Sequence, residues 1–122
     1  MIILTASESD ENSNLDNRFA RCKFFAVYDE EKNSYSFYEN NTENVAHGAG
    51  PQAVQKILKL GSNVLITGNI GPKAMDVLQS SKISVFQGLA EKSIKENIQA
   101  YKDGLLEQIN TSIKGTYSPK NY

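Results

Sequence analysis

Apolar residues in this chain come in short blocks separated by polar punctuation, and the spacing inside each block predicts its structure. Ile2 to Ala6 is an unbroken apolar run of strand length. The Ser, Asn, Asp and Glu residues from Ser7 to Asn17 then make a loop that is long for a compact domain. A functional segment and a mobile one are both open readings of it. Lys23 to Tyr28 and Tyr35 to Glu39 have strand composition, and the polar Asp29-Glu30-Glu31-Lys32-Asn33 joins them as a hairpin. Phe25, Val27, Tyr35 and Phe37 take its inward positions, with their neighbours facing water.

After the polar connection Asn40 to Ala46 the period changes. Ala53, Val54, Ile57, Leu58 and Leu60 recur at helical spacing; Pro51 opens the helix where no backbone N–H is needed, and Gly61 ends it. Val64 to Thr67 suits a central parallel strand, Gly68-Asn69-Ile70-Gly71 turns the chain, and Pro72 starts a helix with Ala74, Met75, Val77 and Leu78 on its apolar face. Ile83 to Phe86 is another buried-strand candidate. A last helix runs from about Glu91 to Leu106, with Ile94, Ile98, Tyr101 and Leu105 on one side. The order β-loop-β-β-α-β-α-β-α predicts an α/β fold, a mixed sheet covered by helices. One domain is expected over residues 1–106, and the Ser, Thr, Gly, Pro and Lys-rich residues 107–122 are expected to form a flexible extension.

Composition narrows the function classes. A chain of 122 residues, 39% hydrophobic and 22% charged, closes one core without disulfides. With a net charge of -1 and both signs interspersed, neither nucleic acid nor an anionic membrane is the expected partner. Arg18, Arg21, Lys23, Phe24 and Phe25 would be a small basic and aromatic patch, more economically read as core aromatics with basic groups around an anion. No apolar run approaches the length of a membrane span, and the N-terminal block lacks the basic lead of a signal peptide, so a cytoplasmic location is expected. The lone Cys22 excludes an intrachain disulfide and a cysteine-rich knuckle, and fits a reducing compartment.

The candidate chemistry lies in two glycine-proline loops, His47-Gly48-Ala49-Gly50-Pro51 and Gly68-Asn69-Ile70-Gly71-Pro72. Both lead from strand to helix, which puts them on one sheet edge, where open α/β sheets bind ligands. Gly48, Gly50, Gly68 and Gly71 permit tight turns or close approach of a ligand to backbone, Asn69 can close its own turn or donate to an anion, and the helix starts favour negative charge. Neither loop is a Walker or dinucleotide fingerprint. His47 offers an imidazole to a metal or anion, or bonds loop backbone. Cys22 offers a soft sulfur whose pKa Arg18 or Arg21 could lower, or is an inert core thiol. Together they cannot complete a four-ligand zinc site. Carboxylates are not paired for two-metal chemistry and no Ser-His-Asp set can be assigned, so catalysis is not expected.

Leu15-Asp16-Asn17-Arg18-Phe19-Ala20-Arg21-Cys22, taken with His47-Gly48-Ala49-Gly50-Pro51-Gln52-Ala53 and Gly68-Asn69-Ile70-Gly71-Pro72-Lys73-Ala74, resembles the dinitrogenase iron-molybdenum cofactor biosynthesis family over about Met1 to Leu106. The family often has glycine where this chain has Ala20. The resemblance implies a ribonuclease H-like three-layer fold with helices on both faces of a five-stranded sheet, ordered 3-2-1-4-5. It also implies an iron-sulfur or iron-molybdenum cluster as cofactor, with Cys22 and His47 toward metal and Arg18, Arg21, Gly48, Gly50, Gly68, Asn69 and Gly71 around the ligand. The expected role is a non-catalytic carrier or sensor that exchanges an anionic cluster with a donor or acceptor protein. A metal-free regulatory or scaffold module for a phosphorylated ligand or partner protein is the alternative, and a homodimer through a sheet edge or the final helix is a third possibility.

Overall fold

The computed structural model describes residues 1–41 and 48–110. Its mixed sheet has the order β3-β2-β1-β4-β5-β6: β1 Ile2–Ala6, β2 Phe24–Asp29, β3 Ser34–Glu39, β4 Val64–Thr67, β5 Ser84–Gln87 and β6 Gln108–Ile109. The helices are α1 Ala49–Leu60, α2 Pro72–Ser80 and α3 Ile94–Lys102. The sheet therefore has six strands where five were expected. Gln108–Ile109, in the stretch read as an extension, pairs antiparallel with Val85 and Phe86 of β5, and Gln79 of α2 donates to the Asn110 carbonyl just beyond it. Two residues carry too little pattern to announce a strand; pairing to an existing edge makes one. His47 and Thr111 to Tyr122 lie outside the described residues.

Helices cover both faces. Ile3, Leu65 and Val85 point to one side, where Ile57 of α1 and Met75 and Leu78 of α2 bury them; Ile2, Leu4 and Ile66 point to the other, against Ile94 and Ile98 of α3. An unbroken apolar β1 is what a strand buried on both faces requires. The same two-sided burial corrects the hairpin. Phe25, Ala26, Val27 and Tyr28 are all buried. The register pairs Phe25 with Tyr38 and Ala26 with Phe37, so Tyr35 and Phe37 face α3, opposite to Phe25 and Val27. The final helix is shorter than expected as well: it ends at Lys102, Gly104 turns the chain at φ 71, and Leu105 is 73% exposed while Leu106 is buried in its place.

The Ser7 to Asn17 loop is pinned at several points. Ser7 N–H donates to the Asn14 carbonyl, Asp16 N–H donates to Thr5, and the carbonyls of Ser13 and Glu11 accept from Ile94 and Lys95 at the start of α3. It returns the chain to the end of β1, where Thr5 Oγ1 bonds both the Asp16 carbonyl (2.7 Å) and Thr67 Oγ1 (2.9 Å). Two buried threonines in apolar strands thus satisfy one another and fix where the next segment, Arg18 to Cys22, begins. No helix among the described residues is long and apolar enough to cross a membrane.

Candidate functional site

β1, β3 and β4 all run toward one edge of the sheet, and there the chain closes a cleft of about 670 Å³. Its three walls are Arg18–Arg21, Gly48–Pro51 and Asn69–Ala74. The expectation that both glycine-proline loops share an edge holds.

The first wall is built from buried polar groups. Asp16 is 8% exposed, and its carboxylate accepts from the Arg18 backbone N–H (2.9 Å), Arg18 Nε (3.1 Å) and the Arg18 guanidinium nitrogen (3.0 Å). The guanidinium itself is 60% exposed, so the bond orients it far more than it stabilises the fold. At the other end Asn40, fully buried, donates from Nδ2 to the carbonyls of Ala20 (2.9 Å) and Cys22 (2.8 Å). The wall is zipped to the second loop through main chain: Asn69 N–H donates to the Asn17 carbonyl (2.5 Å) and Phe19 N–H to the Asn69 carbonyl (3.0 Å). This close passage explains Gly68. A Cβ there would lie 1.8 Å from Asn17 Oδ1 and 2.6 Å from the Asn17 carbonyl oxygen. Gly68 lies behind the wall, outside the cleft lining.

The other two walls are helix starts brought together. A Cβ on Gly50 would sit 3.1 Å from the Ala74 Cβ, so the starts of α1 and α2 approach as closely as glycine allows. Neither helix has a side-chain cap or an acid in its first turn. The amides of Ala49, Gly50, Lys73 and Ala74 have no hydrogen-bond partner among the described residues. Asn69, on the same lining, carries a buried Oδ1 that also has none. Arg18, Arg21 and Lys73 line the cleft, and its floor is made of apolar side chains such as Ile70, Pro51 and Pro72.

Among the expected site residues the cleft brings together Arg18, Arg21, Gly48, Gly50, Asn69 and Gly71. Cys22 goes to the core. It is fully buried with Ile57 and Met75, its thiol donates to the Phe19 carbonyl (3.3 Å), and it is absent from the cleft lining. Burial, and then the nearby Asp16 carboxylate, push the thiol up to about 12, opposite to the lowering expected from Arg18 or Arg21. The described residues contain no group of three or more His, Cys, Asp and Glu able to hold a metal ion. Among the described residues the donor set fits the outside of an anion, through amides and cations. Lys73 stands in the third motif but was not among the expected site residues, because lysine after proline is ordinary; its signal was a cation at the positive end of a helix. Asp16 stands in the first motif with no role assigned and Asn40 gave no signal, since only the fold shows what they hold.

The comparisons agree with this architecture. Residues 1–104 match the model of the family described as dinitrogenase iron-molybdenum cofactor. An uncharacterized protein of Methanocaldococcus jannaschii is 33% identical over 101 residues, covering 80% of this chain and 85% of that one. The apo form of the orange protein from Desulfovibrio gigas superposes with a TM-score of 0.89 at 32% identity, covering 93% of this chain and 95% of that one. A Thermotoga protein described as a putative NifB protein gives a TM-score of 0.81 at 30% identity, covering 93% of this chain and 96% of that one. Matched along most of its length and sharing the fold of these relatives, the chain belongs to the dinitrogenase iron-molybdenum cofactor family.

Proposed function

We propose that the cleft reversibly holds an anionic iron-sulfur or iron-molybdenum cluster, and that the protein is a non-catalytic carrier or sensor which passes the cluster to or from a partner protein. The observation that carries this reading is the convergence of two uncapped helix starts and three cationic side chains on one apolar-floored cleft. Free amides and cations complement negative charge. A compact, hard anion such as phosphate would need to shed tightly held water onto an apolar floor that cannot replace it. A sulfide-rich cluster has diffuse charge and a polarizable surface, which suits apolar contact and weak N–H donors together. It also carries its own ligands to the metals, as a cleft without thiolates among its described residues requires. His47, next to Gly48 in sequence, is the proposed metal-contacting side chain on the chemistry of its imidazole.

Anaerobic reconstitution with iron, molybdenum and sulfide, read by absorption and metal analysis, tests the proposal. Wild type and Cys22→Ala should load equally, since the thiol is buried. Arg18→Gln with Arg21→Gln should lower occupancy at low salt, and His47→Ala should lower it if imidazole contacts metal. A wild type that binds no cluster but melts higher with a phosphorylated ligand would replace this reading with the metal-free regulatory one.

A further inference from the structure

Two lysines occupy the same position in two helices and meet opposite surroundings. Lys73 and Lys95 are each the second residue of their helix, α2 and α3. Around Lys95 the helix start is closed: Ile94 and Lys95 N–H donate to the Ser13 and Glu11 carbonyls, Glu96 N–H donates to Ser93 Oγ, and the adjacent Glu96 carboxylate offsets the lysine. Around Lys73 no such closure is present among the described residues. The start of its own helix has no side-chain cap, its amide and that of Ala74 are unpaired among the described residues, and no acid lies in the first turn. Asp76, the nearest acid along α2, forms no ion pair with it. Lys73 lines the cleft together with Arg18 and Arg21.

A cation at the positive end of a helix is disfavoured. We propose that Lys73 is a ligand-contacting residue, a third cation whose unfavourable placement in the anion-free protein is relieved when an anion enters the cleft. This rests on the reading of the cleft as an anion site and adds which residue sets its selectivity for charge. A lysine of purely solvating role would leave anion affinity unchanged on neutralisation.

The distinguishing signature is opposite movement of stability and binding. Full-length metal-free wild type, Lys73→Gln, Lys73→Arg and Lys95→Gln are melted at low ionic strength with and without thiosulfate, a small sulfur-bearing dianion, and with sulfate as its hard counterpart. Lys73→Gln should raise the anion-free midpoint by about 1–4 °C and raise the half-saturating thiosulfate concentration about two- to five-fold. Lys73→Arg should keep the wild-type affinity. Lys95→Gln should leave thiosulfate binding unchanged. Unaltered half-saturation in Lys73→Gln, with a wild type that binds, overturns the role of Lys73 and leaves the cleft reading standing. A wild type that responds to neither thiosulfate nor a reconstituted cluster removes the cleft reading and this inference with it.

Discussion

The start of α3 and the starts of α1 and α2 solve the same problem in opposite ways. A helix begins with amide N–H groups that have no partner inside it. At α3, Ser93 and Glu96 form a reciprocal capping box and the long loop after β1 supplies two more carbonyls. The bond from the Ser93 amide holds the Glu96 carboxyl below its ordinary value. At α1 and α2 the capping positions are Gly48 and Gly71, which have no side chain to offer, and the next residues contribute no acid. Among the described residues, the helix start that faces the protein's own loop is closed and the two that face the cleft are open. Unpaired donors at a concave surface are groups a ligand can satisfy, whereas a capped start is finished structure.

The contrast can be broken most severely at Gly68. Gly68→Ala drives a Cβ into Asn17, so the first wall must shift; about 1–3 kcal/mol of stability should be lost in denaturant melts, together with the response to anions. Asn40→Ala leaves the carbonyls of Ala20 and Cys22 without their buried donor, and should cost about 1–3 kcal/mol while weakening anion binding by loosening the wall. Ser93→Ala opens the closed helix start. It should cost about 0.5–2 kcal/mol and leave anion binding unchanged, because α3 is remote from the cleft lining. A loss of binding there would show that the two ends are not independent.

The converse variant makes α2 resemble α3. Gly71 has φ -78 and open space where a Cβ would go, so Gly71→Asp fits without strain. Its carboxylate would cap the free amides, raising stability by a few tenths to about 1 kcal/mol and competing with any bound anion. Raised stability with undiminished anion affinity would sink the idea that these amides bind the ligand.

The smallest effect separates core from cleft on the alkaline side. Cys22 is raised from 9.0 to about 12, so above pH 9 the unfolded thiol loses its proton while the folded one keeps it. Its contribution is full below pH 9 and is lost as pH rises toward 12. Tyr35, raised from 10.0 to about 12 chiefly by burial, adds in the same direction. Cys22→Ala should flatten this decline in melts across that range. Alkylation of native Cys22 at pH 8 should be slow, and rapid labelling would place the thiol back at the surface.

The sequence by itself determined the layers, because burial on two faces demands unbroken apolar strands and burial on one face demands helical spacing, as in Ile2–Ala6 and the Ala53–Leu60 series. It also determined that both glycine-proline loops lie on one edge, since each lies between a strand and a helix. Tertiary structure decided the rest. Cys22 carries the same residue letters whether exposed or buried, and only packing among Phe19, Phe25, Ile57 and Met75 put it in the core. Gly68 looked like a ligand contact and is a passage for Asn17; the difference depends on a neighbour distant in sequence. Asp16, Asn40 and Lys73 became legible once three separated segments met at one cleft, because hydrogen bonds and like-charge proximity are properties of position in space.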